Sequence, residues 1–501
     1  MENIYTEKDI RKDIKQSIKQ YISKGQKIVT RFPPEPSGYL HIGHVKALCV
    51  NFGLARLYEG DVLTRIDDTN PDNESFEYEN AILEDMKRIG FNPDKLSHSS
   101  DYFDIILKYA TDLITKGFAY VDDTPPEQLK NERMDRIISK NRSLSINDNL
   151  KLWKDMINGE KTDAVIRLKI NMDDKNGCMR DPTIYRYVET SHPHTKNTFK
   201  VYPTYDFACP IIDSIEGVTH VFRTNEYCDR DIQYKTIIKM LEMRCPELFL
   251  YGKVNFKDTL LSKRNIKKQI SDGTVSGWDD PRLATIRGVL NNGVSIEGLI
   301  SFITTMGFAN TNIEMTWDKF WAINRKIIDK ICPRIHCISI HNIKLTIQNY
   351  KDVDIDILKF SRNKDLGNRV LHRTKNILID QNVFDELDNN EEITLMNWGN
   401  MVIDKENKTL KLKLDGNPKL TKHKVIWVPD VNNLITVTKR KYIIPLQTIS
   451  YVDELCVSEP YVYNQNVGDY FEFMRVGYFK VSQKVDSEYM ICIEVDQGKS
   501  K

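Results

Sequence analysis

Arg31-Phe32-Pro33-Pro34-Glu35-Pro36-Ser37-Gly38-Tyr39-Leu40-His41-Ile42-Gly43-His44 is the stretch that decides the fold. It leaves a strand-like run at residues 28–32 and passes through a Pro/Gly turn. It then enters a helical pattern from Gly43 to about Tyr58, with Val45, Leu48, Cys49 and Phe52 on one face. Residues 61–66 read as a second strand. Asn70-Pro71-Asp72 reads as a helix start, with Tyr78, Ile82, Leu83, Met86 and Ile89 as the buried stripe and Gly90 as the stop. Strand, helix, strand, helix predicts a parallel α/β sheet.

Working outward, Ile10, Ile14, Ile18 and Ile22 recur every four residues and predict a short amphipathic leader before the first strand. Residues 122–200 are charge-rich, enter at Pro125-Pro126 and contain a hairpin-like region near Asn176-Gly177, so they read as an insertion. A second α/β half resumes at Val201, with a helix expected over 229–243. Helical periodicity returns over 281–330, where Trp317 and Trp321 are one turn apart and read as core. Past Pro333 the texture becomes short alternating strands, with Asp415-Gly416 separating the runs 410–414 and 424–428; this predicts β-barrels of about 80 to 100 residues each. Lys408, Lys411, Lys413, Lys419, Lys422 and Lys424 gather around that apparent hairpin, as solvated strand faces or as partners of a phosphate backbone.

Composition narrows the class. The chain has 501 residues, 40% hydrophobic and 29% charged, with a formal net charge of +1. Its mean hydropathy of -0.47 is that of an ordinary soluble globular protein. No apolar run approaches the roughly 18 residues of a membrane helix, and the N-terminus is too polar for a secretory signal. Nine cysteines are scattered without a C-x2-C pair, which suggests no zinc knuckle and fits a reducing cytosol.

Two motifs carry chemistry. His41-Ile42-Gly43-His44 opens a helix after a strand, and a helix N-terminus offers unpaired N–H groups and a positive dipole to phosphates. Two imidazoles one turn apart add donors that follow charge building on an α-phosphate. Gly43, lacking a side chain, lets a flat adenine ring approach the backbone. Leu260-Leu261-Ser262-Lys263-Arg264, followed by Lys267 and Lys268, reads as a mobile loop that brings an ammonium to a triphosphate when substrate is present. In isolation the five residues read as a solvated basic loop; pairing with the first motif favours the phosphate role.

The stretch 31–44 resembles the first signature of class I aminoacyl-tRNA synthetases, in the glutamyl/glutaminyl branch, and the 261–264 loop resembles the second. Leu260-Leu261 stands where Lys-Met is common in the class. Arg65-Ile66-Asp67-Asp68-Thr69-Asn70-Pro71, Gly177-Cys178-Met179-Arg180-Asp181-Pro182-Thr183, Tyr202-Pro203-Thr204-Tyr205-Asp206-Phe207 and Gly277-Trp278-Asp279-Asp280-Pro281-Arg282 extend the likeness. The resemblance implies an α/β Rossmann catalytic domain at 27–121 and 201–275, preceded by a helical leader at 1–26. It further implies an α+β acceptor-stem-binding insertion at 122–200, a helical connector at 276–332, and two all-β anticodon-binding barrels at 333–501. Eukaryotic members often carry an N-terminal transferase-like docking domain, which the short leader is not expected to supply.

The same resemblance implies roles. His41, His44 and Lys263 would be catalytic, and His41, Gly43, His44, Glu226, Leu261, Ser262, Lys263 and Arg264 would bind ATP. Arg31 would contact the substrate carboxylate and Asp67 its amino group, with Tyr202 and Asp206 lining the pocket. Val221-Phe222-Arg223-Thr224-Asn225-Glu226-Tyr227 resembles the glutamyl version, where arginine selects a side-chain carboxylate; the glutaminyl version usually has cysteine there. In isolation Arg223 reads as the partner of Asp229 or another carboxylate; its flanking residues favour the substrate role. The expected activity is ligation of L-glutamate to tRNA(Glu), with ATP as substrate, Mg2+ accompanying it and no protein-held metal. The chain is expected to be a cytoplasmic monomer that binds neither membrane nor DNA. A glutamine-specific synthetase, a non-catalytic tRNA-binding paralogue and a small-molecule nucleotidyltransferase are the alternatives.

Overall fold

The structure is a computed structural model that describes residues 4–257, 259, 262–443 and 451–498. It divides into two compact units. One comprises Met1–Asn255, Leu261–Lys268 and Ile303–Met315; the other comprises Phe256–Leu260, Gln269–Phe302 and Thr316–Lys501.

In the first unit, α1 (Lys12–Ser23) precedes β1 (Val29–Phe32), α2 (Ile42–Leu57), β2 (Asp61–Ile66), α3 (Phe76–Arg88) and β3 (Lys95–His98). The three strands pair in parallel in the order β1-β2-β3, as the alternation predicts. α2 is buried well beyond one face: Ile42, Val45, Leu48, Cys49, Val50, Phe52, Leu54 and Ala55 are all interior, as are Lys46 and Asn51. Lys46 keeps a partner there by donating to the carbonyl of Gly252 at 2.6 Å. α3 starts later than expected. Asn70-Pro71-Asp72 forms a turn closed by Asn73 N–H on the Asn70 carbonyl, and Ser75 is the cap, its Oγ accepting from Tyr78 N at 3.3 Å. Gly90, at φ 85°, ends the helix as anticipated.

The chain continues through α4 (Phe103–Thr115), β4 (Ala119–Asp122), α5 (Pro126–Asp135), α6 (Ile146–Asn158), β5 (Val165–Leu168), β6 (Thr183–Tyr187) and β7 (Val201–Pro203). β4 to β7 form an antiparallel sheet in sequence order. The Asn176-Gly177 region lies between the paired strands β5 and β6, where Asn176 caps a single turn. Trp153, Ile166 and Tyr185 from this segment share one apolar core with Phe103 and Ile106 of α4 and with Phe207 and Ile211 further on.

α7 (Tyr205–Ile215), β8 (His220–Thr224), α8 (Asp231–Met240) and β9 (Glu247–Tyr251) complete the α/β layer. β8 pairs in parallel with β9, and Thr219 N–H donates to the Val29 carbonyl at 2.9 Å, which sets β8 beside β1. The helix expected over 229–243 is shorter because residues 225–230 form a tighter turn. α1 docks on this side: Ile10, Ile14 and Ile18 are buried, Ser17 Oγ lies 3.1 Å from His220 Nε2, and Arg11 Nη1 donates to the Leu250 carbonyl at 2.6 Å. Ile22, in the last turn, stays 47% exposed.

α9 (Lys263–Ser271) follows the second signature. The second unit contains α10 (Ile286–Asn291), most of α11 (Ile296–Thr304) and α12 (Trp317–Ile328). Trp321 and Phe320 are buried, with Trp317 stacked on Trp321. Two seven-stranded sheets follow. In one the order is 334–335, 470–473, 477–484, 489–495, 435–442, 451–458, 337–339; in the other it is 424–425, 392–395, 399–404, 409–412, 342–347, 376–380, 427–429. Each sheet begins and ends on the same run of chain, interrupted by His336 in one and by Ile426 in the other, so each is a nearly closed barrel. The expected hairpin around Asp415-Gly416 is not formed: strand 409–412 pairs with 399–404 and 342–347, whereas 424–425 pairs with 392–395. No described helix is long and apolar enough to cross a membrane.

Candidate active site

His41 is the N-cap of α2, and its Nδ1 accepts from Gly43 N–H at 3.1 Å; His44 Nδ1 accepts from His41 N–H, also at 3.1 Å. The ring centroids are 3.9 Å apart. Burial, reinforced by the charges of Lys263 and Lys253, pushes His41 down to about 3. Burial, His41 and Lys263 hold His44 well below its ordinary value. Both rings are therefore neutral, and with Nδ1 accepting, each carries its proton on Nε2. The pair is two N–H donors with no net charge. Gly43 has a local reason as well: a Cβ there would lie 2.8 Å from His41 Cε1 and 3.0 Å from Nδ1, so glycine makes room for the capping ring.

Lys263, the first residue of α9, donates from Nζ to the Glu35 carbonyl at 2.8 Å and to Ser37 Oγ at 3.3 Å. The second signature thus meets the Pro/Gly turn of the first. Burial lowers Lys263 to about 8, with Glu35 opposing and Lys267 adding to the shift. Ser262 and Arg264 flank it, both exposed; Leu261 lies outside the described residues. Lys267 covers the ring of Tyr78 at 4.6 Å. Glu226 is exposed and paired with Lys253 at 2.8 Å. Lys253 is a cation that sequence reading missed, since no motif marks it; its charge reaches His41 through the fold.

A second centre lies between α7, β8 and α8. Tyr205, Asp206, Cys209, Pro210, Arg223, Arg230, Gln233 and Tyr234 converge around a closed-up hollow too tight to admit a water molecule. Arg223 is 6% exposed; its Nη1 donates to Asp231 Oδ1 at 3.1 Å, so the neighbouring carboxylate is Asp231 and not Asp229. Its guanidinium lies 4.4 Å from the Tyr227 ring, and its Nε has no partner. Asp206 holds Arg230 at 2.9 and 3.1 Å.

The other expected substrate contacts are placed differently. Arg31 is buried beneath this cavity, not on its wall: Nε donates to both Asp213 oxygens at 3.2 Å, Nη1 to the Phe222 carbonyl, and Nη2 approaches Cys209 Sγ at 3.8 Å. The cause is Asp213, a fully buried carboxylate that also takes Arg65 at 2.5 Å and needs both cations to remain ionised. Arg65 in turn reaches Glu216 at 2.8 Å. Tyr202 is also buried off the cavity, donating to the Phe199 carbonyl and stacked on His192. Asp67 accepts from Thr69 Oγ1 at 3.2 Å and Ser99 Oγ at 3.3 Å, and burial beside Asp68 raises it to about 7. None of the three is among the residues that converge with Asp206 and Arg223.

The catalytic domain of the tRNA synthetases class I (E and Q) matches residues 27–330, and the anticodon-binding domain of the same group matches 332–434. A bifunctional glutamate/proline–tRNA ligase of Drosophila melanogaster is 45% identical over 76% of this chain and 22% of that protein. The cytoplasmic glutamate–tRNA ligase of Saccharomyces cerevisiae is 37% identical over 95% of this chain and 71% of that protein. The Arabidopsis thaliana cytoplasmic glutamate–tRNA ligase is 39% identical over 91% and 67%. The chain thus spans about a fifth to a third of the bifunctional relatives it matches. Among solved structures, a glutamate tRNA ligase from Elizabethkingia meningosepticum aligns over 61% of this chain and 70% of that chain, at 20% identity and a TM-score of 0.42. With one family spanning residues 27–330 and its companion 332–434, the chain belongs to the class I tRNA synthetases of the glutamate and glutamine branch.

Proposed function

We propose that the chain is a glutamate–tRNA ligase. ATP and L-glutamate give glutamyl-adenylate and pyrophosphate, and the glutamyl group then passes to the 3′-terminal ribose of tRNA(Glu). The observation that carries the choice of glutamate is Arg223, a buried guanidinium whose Nε is unpartnered. A side-chain carboxylate would take that N–H in a charge-assisted bond, whereas an amide would leave the cation short of negative charge.

The chemistry asks for positioning and charge stabilisation. Attack of the glutamate carboxylate on the α-phosphorus expels pyrophosphate, and negative charge grows on the phosphate oxygens. The Nε2–H groups of His41 and His44 and the Lys263 ammonium are the donors for that charge. Ser262, Arg264 and the backbone beside Gly43 complete the ATP cradle, with Leu261 and Glu226 in the same role. Asp67 receives the substrate ammonium, Asp206 borders the side-chain pocket, and Arg31 supports it from beneath. Magnesium prefers oxygen ligands; imidazoles and an ammonium do not provide them, so it travels with the phosphates of ATP and water.

In this reading residues 1–26 form a helical leader and 27–121 with 201–275 the catalytic domain. Residues 122–200 approach the acceptor stem, 276–332 connect, and the barrels of 333–501 hold the anticodon. The protein works in the cytoplasm, in keeping with its relatives' names, and as a monomer. The test is charging of total tRNA with labelled glutamate and, separately, labelled glutamine. Glutamate alone supports the reading; glutamine alone overturns the role of Arg223; incorporation of neither points to a binding paralogue.

A further inference from the structure

Away from both centres, Glu79, His98 and His194 converge from three parts of the first unit: α3, the end of β3 and the loop between β6 and β7. One ligand atom from each lies within 4.8 Å of the others. Glu79 Oε1 is 2.8 Å from His98 Nε2, Glu79 Oε2 is 2.7 Å from His194 Nε2, and the two ring centroids are 4.3 Å apart. The group is largely sheltered, with side-chain exposures of 11%, 18% and 29% in that order.

The supporting structure fixes these donors. His192 Nδ1 accepts from the backbone N–H of both His194 and Thr195 at 3.1 Å, so its Nε2–H donates to the Asp68 carbonyl at 2.8 Å. That turn, closed by the backbone pairing of His192 with Lys196, sets the position of His194. Asp101 Oδ2 lies 3.8 Å from His98 Nδ1, placed to receive a proton on that nitrogen when Nε2 is used elsewhere.

We propose that Glu79, His98 and His194 bind a transition-metal dication of the zinc class, with water at the fourth position. Two imidazoles and a carboxylate suit zinc and disfavour magnesium and calcium, which take oxygen ligands. In a tetrahedral site with bonds near 2.0–2.1 Å the donor atoms stand about 3.3 Å apart; the two imidazoles now contact different oxygens of Glu79, so the imidazole facing the ligating oxygen draws back by roughly half an ångström while the donors that stand further apart, all within 4.8 Å, close in. The Nε2 protons now shared with Glu79 move to Nδ1 or leave to solvent, and the Nε2 lone pairs go to the metal. The ion fastens the loop that carries His192 and His194 to the sheet end beside Asp68. The expectation of no protein-held metal rested on magnesium travelling with the phosphates of ATP and did not weigh these three residues, which lie far apart in the chain.

The test uses the full chain stripped by a chelator, then titrated with zinc against a chromophoric competitor and, separately, with cobalt. One equivalent of zinc is expected, with a rise in melting temperature. The cobalt spectrum should carry ligand-field bands without thiolate charge transfer. Glu79→Gln and His194→Asn should each lose that equivalent and the thermal response. Exposed Cys228 and Cys245 offer a competing site, so the cobalt spectrum of the unaltered protein decides even where a variant folds poorly. Thiolate charge transfer, no binding, or stoichiometry unchanged in both variants overturns the proposal.

Discussion

Lys263 Nζ lies 2.8 Å from the carbonyl oxygen of Glu35, so the helix after the second signature is tied to the turn of the first. An ammonium has three donors, and one carbonyl and one hydroxyl are weak partners beside phosphate oxygens. Lys263→Ala is expected to slow adenylate formation by about 10²–10³-fold, read by pyrophosphate exchange in the presence of tRNA. Retention of tRNA on filters should hardly change. An undiminished exchange rate would remove Lys263 from the reaction.

Arg223→Ala would delete the charge-assisted bond proposed for the substrate side chain. The KM for glutamate should rise roughly 10- to 100-fold, with the KM for ATP little altered. Equal glutamate dependence in the two proteins would place the specificity determinant elsewhere.

Gly43→Ala sets a methyl 2.8 Å from His41 Cε1. The ring must leave its capping position, so activation should drop at least tenfold while the melting temperature moves by only a few degrees. A variant with full activity would mean that the His41 cap is dispensable.

The pH profile of kcat/KM for glutamate reports the free enzyme. Asp67, raised to about 7, must be ionised to hold an ammonium, so the profile should climb as pH rises through 7. Lys263, lowered to about 8, loses its charge above that pH, so the profile should fall again. His41, near 3, contributes no limb between these values. Asp67→Asn should erase the acid limb; a limb that persists would belong to another group.

His336 is fully buried in the second unit, bonded through Nδ1 to the Trp427 carbonyl at 2.9 Å and through Nε2 to Asn397 at 3.1 Å. Burial lowers it to about 4. An unfolded chain takes up this proton at about 6.5, so the stabilisation is complete above that pH and is lost as pH falls toward 4. The loss is on the order of 3 kcal/mol, measurable as a falling urea midpoint. His336→Gln should flatten that dependence, and an unchanged slope would assign it to other groups.

The α/β layer was legible because β1, α2 and β2 follow one another with clear periodicity and a Pro/Gly turn between. The signatures were legible for the same reason, being contiguous. What escaped the sequence was pairing at a distance. Arg31 opens the first signature, yet its guanidinium faces Asp213, 182 residues away. Glu79 and His194 are 115 residues apart. α3 was misplaced by local chemistry: Asn70-Pro71 suits a turn as well as a cap, and Ser75 does the capping.

Both C-terminal barrels end where they begin, on one run of chain broken by a single residue. A sheet with loose flanks offers unpaired N–H and C=O groups to any extended peptide nearby. Here the two flanks adjoin through His336 in one barrel and Ile426 in the other. Peeling either flank means dragging the residue that also pins its opposite. Each barrel therefore resists fraying and denies another copy of the chain a template for strand addition.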